Sequence, residues 1–319
     1  MQIIKFNYFL NNNEYEVQTT RFVIPIPQTS FLGDIIEISR VLNLLVYATI
    51  GEPLITLCEF SKTNPEASIK KHKSSGAIEQ FDNPIIPNKN ISVFCNNNIS
   101  KTIKFEHSSV QCSCISGGLI LVVGLSDGNI CIFDLPSCNL IRTSGFHKRP
   151  VVSVAANREL GLLVSINQKN QIIFELLNEQ KFIRSLNLEK IVLEISSKFL
   201  NMSFVINSKP SILIYKSGVV CIILNVYEEN TSFVFFFTAS GEKKGVIQMN
   251  GIVKEFDKYY DFDQNEFLVL SIEPRKIMVI DVCKTEIFSS VTGSFGQLKF
   301  CTVKNCKAIM YSNGRITQT

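Results

Sequence analysis

Three observations predict an all-β fold assembled from repeated small antiparallel sheets. The first is a repeat. Slid by 41 residues, the stretch 110–135 (VQCSCISGGLILVVGLSDGNICIFDL) falls on 151–176 (VVSVAANRELGLLVSINQKNQIIFEL). Val110 lands on Val151, Val122 on Leu163, Phe133 on Phe174, Asp134 on Glu175 and Leu135 on Leu176. The second is local: each copy holds three short apolar runs broken by turn residues such as Asp127-Gly128 and Gly117-Gly118. The third is composition, which is rich in Ile, Val and Phe, with 24 Phe and no Trp. A period near 40 with several strands per copy is the pattern of a β-propeller, here about seven four-stranded blades on degenerate repeats of ~41 residues.

The order of elements follows from these runs. Repeats are expected at about 31–60, 77–105, 107–143, 147–186, 191–226, 232–257 and 262–290. Residues 1–30 and 295–319 would complete the ring, since closing a ring protects edge strands. In the first repeat, IIEIS, LLVYATI and LITLCEF are strands, with Gly51-Glu52-Pro53 as a turn. Residues 61–80 are polar, contain Pro65, and read as an exposed loop within one domain. Val205 falls opposite Val164 and Tyr215 opposite Phe174, which makes SILIY a third strand. Ile280-Asp281 stands where Phe133-Asp134 stood. Apolar inner and middle strands such as ILVVG and GLLVS fit burial on both faces by neighbouring blades.

Composition narrows the function classes. Hydrophobic residues make up 45% and charged residues 19%, which disfavours disorder. The chain carries 32 basic and 28 acidic residues, a net charge of +4, so no general argument for nucleic acid arises. The 10 Cys lie mostly inside apolar runs and form no CxxC pair. They read as free, reduced, structural thiols, with a cytoplasmic setting expected. Neither a signal peptide nor an apolar run of membrane-spanning length is visible.

The stretch 126–135, SDGNICIFDL, resembles the end of a WD40 repeat, with Phe133 at the Trp position followed by Asp134. Glu106-His107 and Phe146-His147 stand where that family carries Gly-His, ahead of the first strand. Phe133, Phe174, Tyr215 and Ile280 hold the Trp position, which keeps apolar packing and loses the indole donor. The resemblance marks His107, Asp127, Gly128, Phe133, Asp134, His147, Phe174 and Asp281 as structural signature residues of a WD40-like propeller. Residues 147–189, with the ELGL run, the following VS and the later FIRSL, are similar to the C-terminal propeller of BEACH-domain proteins, the neurobeachin and beige-like family. FEHSSVQCSCIS, within 103–123, is similar to the preceding blade of that propeller. The BEACH domain itself has no counterpart here. The resemblance implies a scaffold in vesicle and membrane trafficking, cytoplasmic or peripheral on endomembranes and attached to membranes indirectly.

No motif points to catalysis, a cofactor or a metal. His72, His107 and His147 are the only histidines, and none has a nucleophile or metal-ligand constellation around it. The charged loops are the candidate partner contacts: Lys70, Lys71, His72 and Lys73; His147, Lys148 and Arg149; and Lys243 with Lys244. The leading expectation is a non-catalytic interaction module for proteins or peptides, with no nucleic acid and no small-molecule substrate. The alternatives are a propeller hydrolase with a channel site and a lone WD40 adaptor in an unrelated complex. The hydrolase needs polar innermost strands, and VVSVAA and IIEIS are almost wholly apolar.

Overall fold

The apolar runs fold as strands and the turn residues as tight hairpins. A computed structural model of the chain describes residues 2–11, 14–23, 34–39, 41–42, 44–59, 101–195, 209–261, 263–273, 276–292, 308–310 and 316–318. The chain divides into two units, Met1–His107 and Ser108–Thr319. In the first, β1 (Gln2–Asn11) and β2 (Glu14–Val23) form a hairpin of their own. It also holds a four-stranded antiparallel sheet of β3 (Ile35–Ser39), β4 (Leu44–Ala48), β5 (Leu54–Glu59) and β6 (Lys101–Lys104). The expected second repeat, 77–105, therefore contributes one described strand, and that strand is the fourth of the first sheet. The polar stretch 61–80 lies outside the described residues.

The second unit holds four antiparallel four-stranded sheets in succession. The first comprises β7 (Val110–Ser116), β8 (Ile120–Leu125), β9 (Ile130–Asp134) and β10 (Asn139–Ser144). The second comprises β11 (Val151–Asn157), β12 (Leu162–Asn167), β13 (Gln171–Leu176) and β14 (Phe182–Asn187). The third comprises β15 (Ser211–Ile214), β16 (Val220–Val226), β17 (Thr231–Phe237) and β18 (Lys243–Asn250). The fourth comprises β19 (Val253–Tyr260), β20 (Glu266–Ile272), β21 (Lys276–Asp281) and β22 (Glu286–Thr292). A last hairpin joins β23 (Ala308–Met310) to β24 (Ile316–Gln318).

Stacking of these sheets makes the core. Every residue of β17, TSFVFFF, is buried. Phe233, Phe235 and Phe237 face β12 and β13, packing with Val164, Ile166, Ile172 and Phe174. Val234 and Phe236 face the other way, against Leu268, Leu270, Met278 and Ile280. Alternation along one strand thus feeds two cores, and each buried Phe contributes about 1.5–3 kcal/mol.

Three expectations are corrected by the tertiary pairing. The expected break between 226 and 232 is a hairpin inside the third sheet. A 3-10 turn, Tyr227–Glu229, and Asn230 at φ 47° join β16 to β17. The real boundary is Gly251, at φ 107°, where a Cβ would stand 2.0 Å from the Glu273 carbonyl oxygen. SILI is consequently the first strand of its sheet, not the third, and Tyr215 is not the counterpart of Phe174. Second, 188–195 folds as helix α1 (Leu188–Ile195). Leu188, Ile191 and Val192 are buried, and the Asn187 side chain accepts from the Lys190 N–H as an N-terminal cap. Val205 lies outside the described residues.

Third, the 41-residue register slips. Val110 and Val151 both begin a first strand, as aligned. The turn between β11 and β12 is one residue longer than that between β7 and β8. Phe133 pairs with Leu121, whereas Leu163 pairs with Glu175. Glu175, not Phe174, is therefore the counterpart of Phe133, and Phe174 is the counterpart of Ile132. Because strand side chains alternate, one residue of slip moves each side chain to the other face.

In the second unit each fourth, outer strand also carries a β-bulge near its start, whereas β6 pairs with β5 without one. Ile141, Ile183, Lys244 and Phe288 are the extra residues in β10, β14, β18 and β22.

Candidate functional site

Of the residues marked as a repeat signature, Asp127, Gly128, Asp134 and Asp281 stand in turns. Asp127 sits in the β8–β9 turn and accepts from Ser108 Oγ (2.6 Å), the Asn129 N–H (2.9 Å) and Asn129 Nδ2 (2.8 Å). Partial burial raises its pKa, but these hydrogen bonds outweigh burial and hold the carboxyl below the usual value. His107 is exposed, and the neighbouring Ser108 makes the contact to the turn. Gly128 stands at φ 93°, and a Cβ there would lie 2.5 Å from the His147 carbonyl oxygen. Asp134 accepts from the Ser137 N–H and hydroxyl, and Asp281 accepts from the Lys284 N–H. Both close the turn into the outer strand. Phe133 and Ile280 are buried at equivalent pairing positions.

His147 is not an exposed contact. It is 5% exposed, and its Nε2 lies 2.8 Å from Ser165 Oγ. Its Nδ1 is buried with no hydrogen-bond partner among the described residues. Burial pushes the imidazole pKa down to about 4, so the ring is neutral near pH 7. Lys148 and Arg149 are exposed in the loop that enters β11. Lys243 and Lys244 are exposed where the chain enters β18. First and fourth strands run oppositely in an antiparallel sheet, so these two pairs stand at opposite ends of their sheets. Lys70, Lys71, His72 and Lys73 lie outside the described residues.

Glu175, aligned with Asp134 and read with it as a turn or blade-edge residue, is neither, and further groups escape sequence reasoning. Glu175 is fully buried, pairs with Arg142 Nη2 at 3.2 Å and accepts from Ser144 Oγ at 3.0 Å. Arg142 also donates to the Leu176 (2.6 Å) and Leu177 (2.9 Å) carbonyls, joining β10 to the next sheet. Burial raises the Glu175 pKa, and Ser144 and Arg142 offset it only partly. The signal available in the sequence was a carboxylate inside the apolar run QIIFEL. Further on, the Ser217 N–H and hydroxyl both donate to Glu266, and Tyr215 Oη donates to the Phe267 carbonyl at 3.1 Å.

Innermost strands are not uniformly apolar. β19, VKEFDKYY, carries Lys254, Glu255, Asp257 and Lys258. The expected boundary at 257 cut through it. Lys258 Nζ stands 5.3 Å from the Tyr215 ring centroid, and burial lowers its pKa. Among the described residues no group of His, Cys, Asp or Glu is arranged to hold a metal ion. Cys112 and Cys221 are free and buried, and burial pushes the Cys112 thiol up to about 12. No helix of the described residues is long and apolar enough to cross a membrane.

No family model and no curated protein matches this chain. Among solved structures, a chain from "Crystal Structure of Mitotic Checkpoint Complex" superposes with a TM-score of 0.55 over 90% of this chain and 76% of its own length. The fold is an all-β, WD40-like propeller. At 15% identity the likeness carries the fold alone. Nothing in these comparisons bears on the resemblance to BEACH-domain propellers.

Proposed function

We propose that this WD40-like propeller is a non-catalytic protein-binding scaffold of vesicle and membrane trafficking, cytoplasmic and held on endomembranes through its partners. One observation carries the scaffold reading: buried polar groups are committed to joining one sheet to the next. Glu175 is held by Arg142 and Ser144, and Glu266 by Ser217. His147 is held within its own sheet by Ser165. A frame tied in this way keeps its loops and rims in fixed positions, which lowers the entropy cost of binding. The trafficking part rests on the sequence resemblance of residues 147–189 and 103–123.

Proximity labelling by the tagged chain, followed by binding of the purified candidates and by sedimentation with liposomes, tests both parts. Direct binding to a trafficking protein, with membrane recruitment only in its presence, is expected. Sedimentation with bare liposomes, or partners drawn wholly from another process, would sink the trafficking reading. A substrate turned over by the purified chain would sink the non-catalytic one.

A further inference from the structure

The bulges on the outer strands lead to a specific surface. A bulge sets two residues against one, breaks the alternation of faces and turns successive side chains outward. Among the described residues of the second unit the large exposed apolar ones are Leu140, Ile141, Leu160, Phe182, Tyr227, Ile287 and Phe288. All but Leu160 and Tyr227 lie at or beside an outer-strand bulge. Leu140 and Ile141 are 52% and 50% exposed on β10, Phe182 is 47% exposed on β14, and Ile287 and Phe288 are 51% and 64% exposed on β22. At the matching position β18 presents Lys243 and Lys244 instead.

These positions are continuous from sheet to sheet. Arg142, next to Ile141, bonds the Leu177 carbonyl in the turn that leads to Phe182. Arg184, two residues after Phe182, packs on Gly241 in the turn that leads to Lys243. Lys244 Nζ donates to the Cys283 carbonyl at 3.3 Å, in the turn that leads to Ile287. Along the rim the order is apolar, apolar, cationic, apolar. Exposed Lys181 and Arg184 flank Phe182 and extend the positive stretch toward Lys243.

We propose that this rim binds an extended, acidic and apolar peptide segment of a partner protein, laid across the four outer strands. The charge of Lys181, Arg184, Lys243 and Lys244 selects acidic side chains, and the bulge residues take large apolar ones. Stacked sheets stand about 10 Å apart, and an extended chain advances about 3.3 Å per residue. The segment therefore presents one anchor roughly every three residues, or more where the sheets splay outward, with the acidic anchor third from the β10 side. This deepens the scaffold reading and rests on it.

Selection of a phage-displayed random peptide library on the purified chain, then fluorescence anisotropy with the synthetic winner, tests it. Winners combining acidic and large apolar residues are expected. Their Kd rises about tenfold or more with Phe182→Ser, Phe288→Ser or Lys243→Glu/Lys244→Glu, and with added salt. It stays unchanged with Lys148→Glu/Arg149→Glu at the opposite end. Leu140→Ser, whose residue is half-exposed, guards against a folding defect, and thermal melts of all variants accompany the titrations. Winners insensitive to every rim variant but lost with Lys148→Glu/Arg149→Glu overturn the rim and leave the scaffold. Rim variants that only dissolve a wild-type dimer in light scattering, or only abolish binding to anionic vesicles, overturn the peptide as occupant. A library yielding no binder to any surface counts against the scaffold as well.

Discussion

Replacing Glu175 by Ala removes the anion from a site where Arg142 remains, with 11% of its side chain exposed. Breaking a buried pair from one side typically costs 3–5 kcal/mol, because the remaining charge is left uncompensated. Here Arg142 keeps the Leu176 and Leu177 carbonyls, so about 3 kcal/mol, the low end, is expected. For a unit of roughly 200 residues that is a drop of about 6–12 °C in Tm. Burial outweighs the favourable partners of Glu175, so the charged pair is not an efficient source of stability. Glu175→Leu combined with Arg142→Met should accordingly cost about 1 kcal/mol or less. The assay is urea and thermal unfolding of wild type, Glu175→Ala, Glu175→Leu, Arg142→Met and the Glu175→Leu/Arg142→Met double variant, with the last three and wild type read as a cycle. A Glu175→Ala cost below about 1 kcal/mol, or a double variant as unstable as the single, would refute the account of this inter-sheet tie.

Other perturbations follow from the same geometry. The folded-state pKa of His147 is depressed to about 4 from an ordinary 6.5. Its contribution to stability is therefore complete above pH 6.5 and is lost as the pH falls toward 4, by up to about 3 kcal/mol. The wild-type minus His147→Asn stability difference should slope across that window, and a flat difference refutes it. Phe235→Ala, in a fully buried stack with Phe233 and Phe237, should cost about 3–5 kcal/mol by urea unfolding; a loss under about 1 kcal/mol would contradict the packing. Gly128→Ala brings a Cβ against the His147 carbonyl at positive φ and should lower Tm, whereas Gly51→Ala, at φ 90° with open space, should lower it less. Under native conditions iodoacetamide should label exposed Cys283 well before Cys112 or Cys221, as mass spectrometry of digests would show.

Much of the architecture is local and therefore legible. The runs ILVVGL, LLVSIN and TSFVFFF become wholly buried strands, as their mostly apolar character requires, with Ser165 and Ser232 hydrogen-bonded inside. Asp127-Gly128, Asp134 and Asp281 mark turns because short acceptors and Gly satisfy turn backbone within a few residues. The candidate site was less legible. Lys148, Arg149, Lys243 and Lys244 are exposed as expected, but sequence cannot show that they stand at opposite sheet ends. His147 looked like part of a basic loop, and only its partner Ser165, distant in sequence, explains its burial. The rim pairs escaped notice because a bulge is a relation between two strands, and each outer strand alone reads as ordinary β-structure.

By itself the sequence determined that this chain is all-β, repeated near 41 residues, with short strands punctuated by turns. Side-chain alternation and turn chemistry act over a few residues and need no distant partner. Only tertiary structure decided which strand opens and which closes a sheet, because hydrogen-bond pairing joins runs whose order in the chain is equally compatible with neighbouring groupings. It decided that β19, with its charges, is a first strand, and that β6 completes a sheet begun at Ile35. It also turned one extra residue before Leu162 into a change of face that set Glu175 where a Phe was expected, and Arg142 from the neighbouring sheet made that carboxylate tolerable.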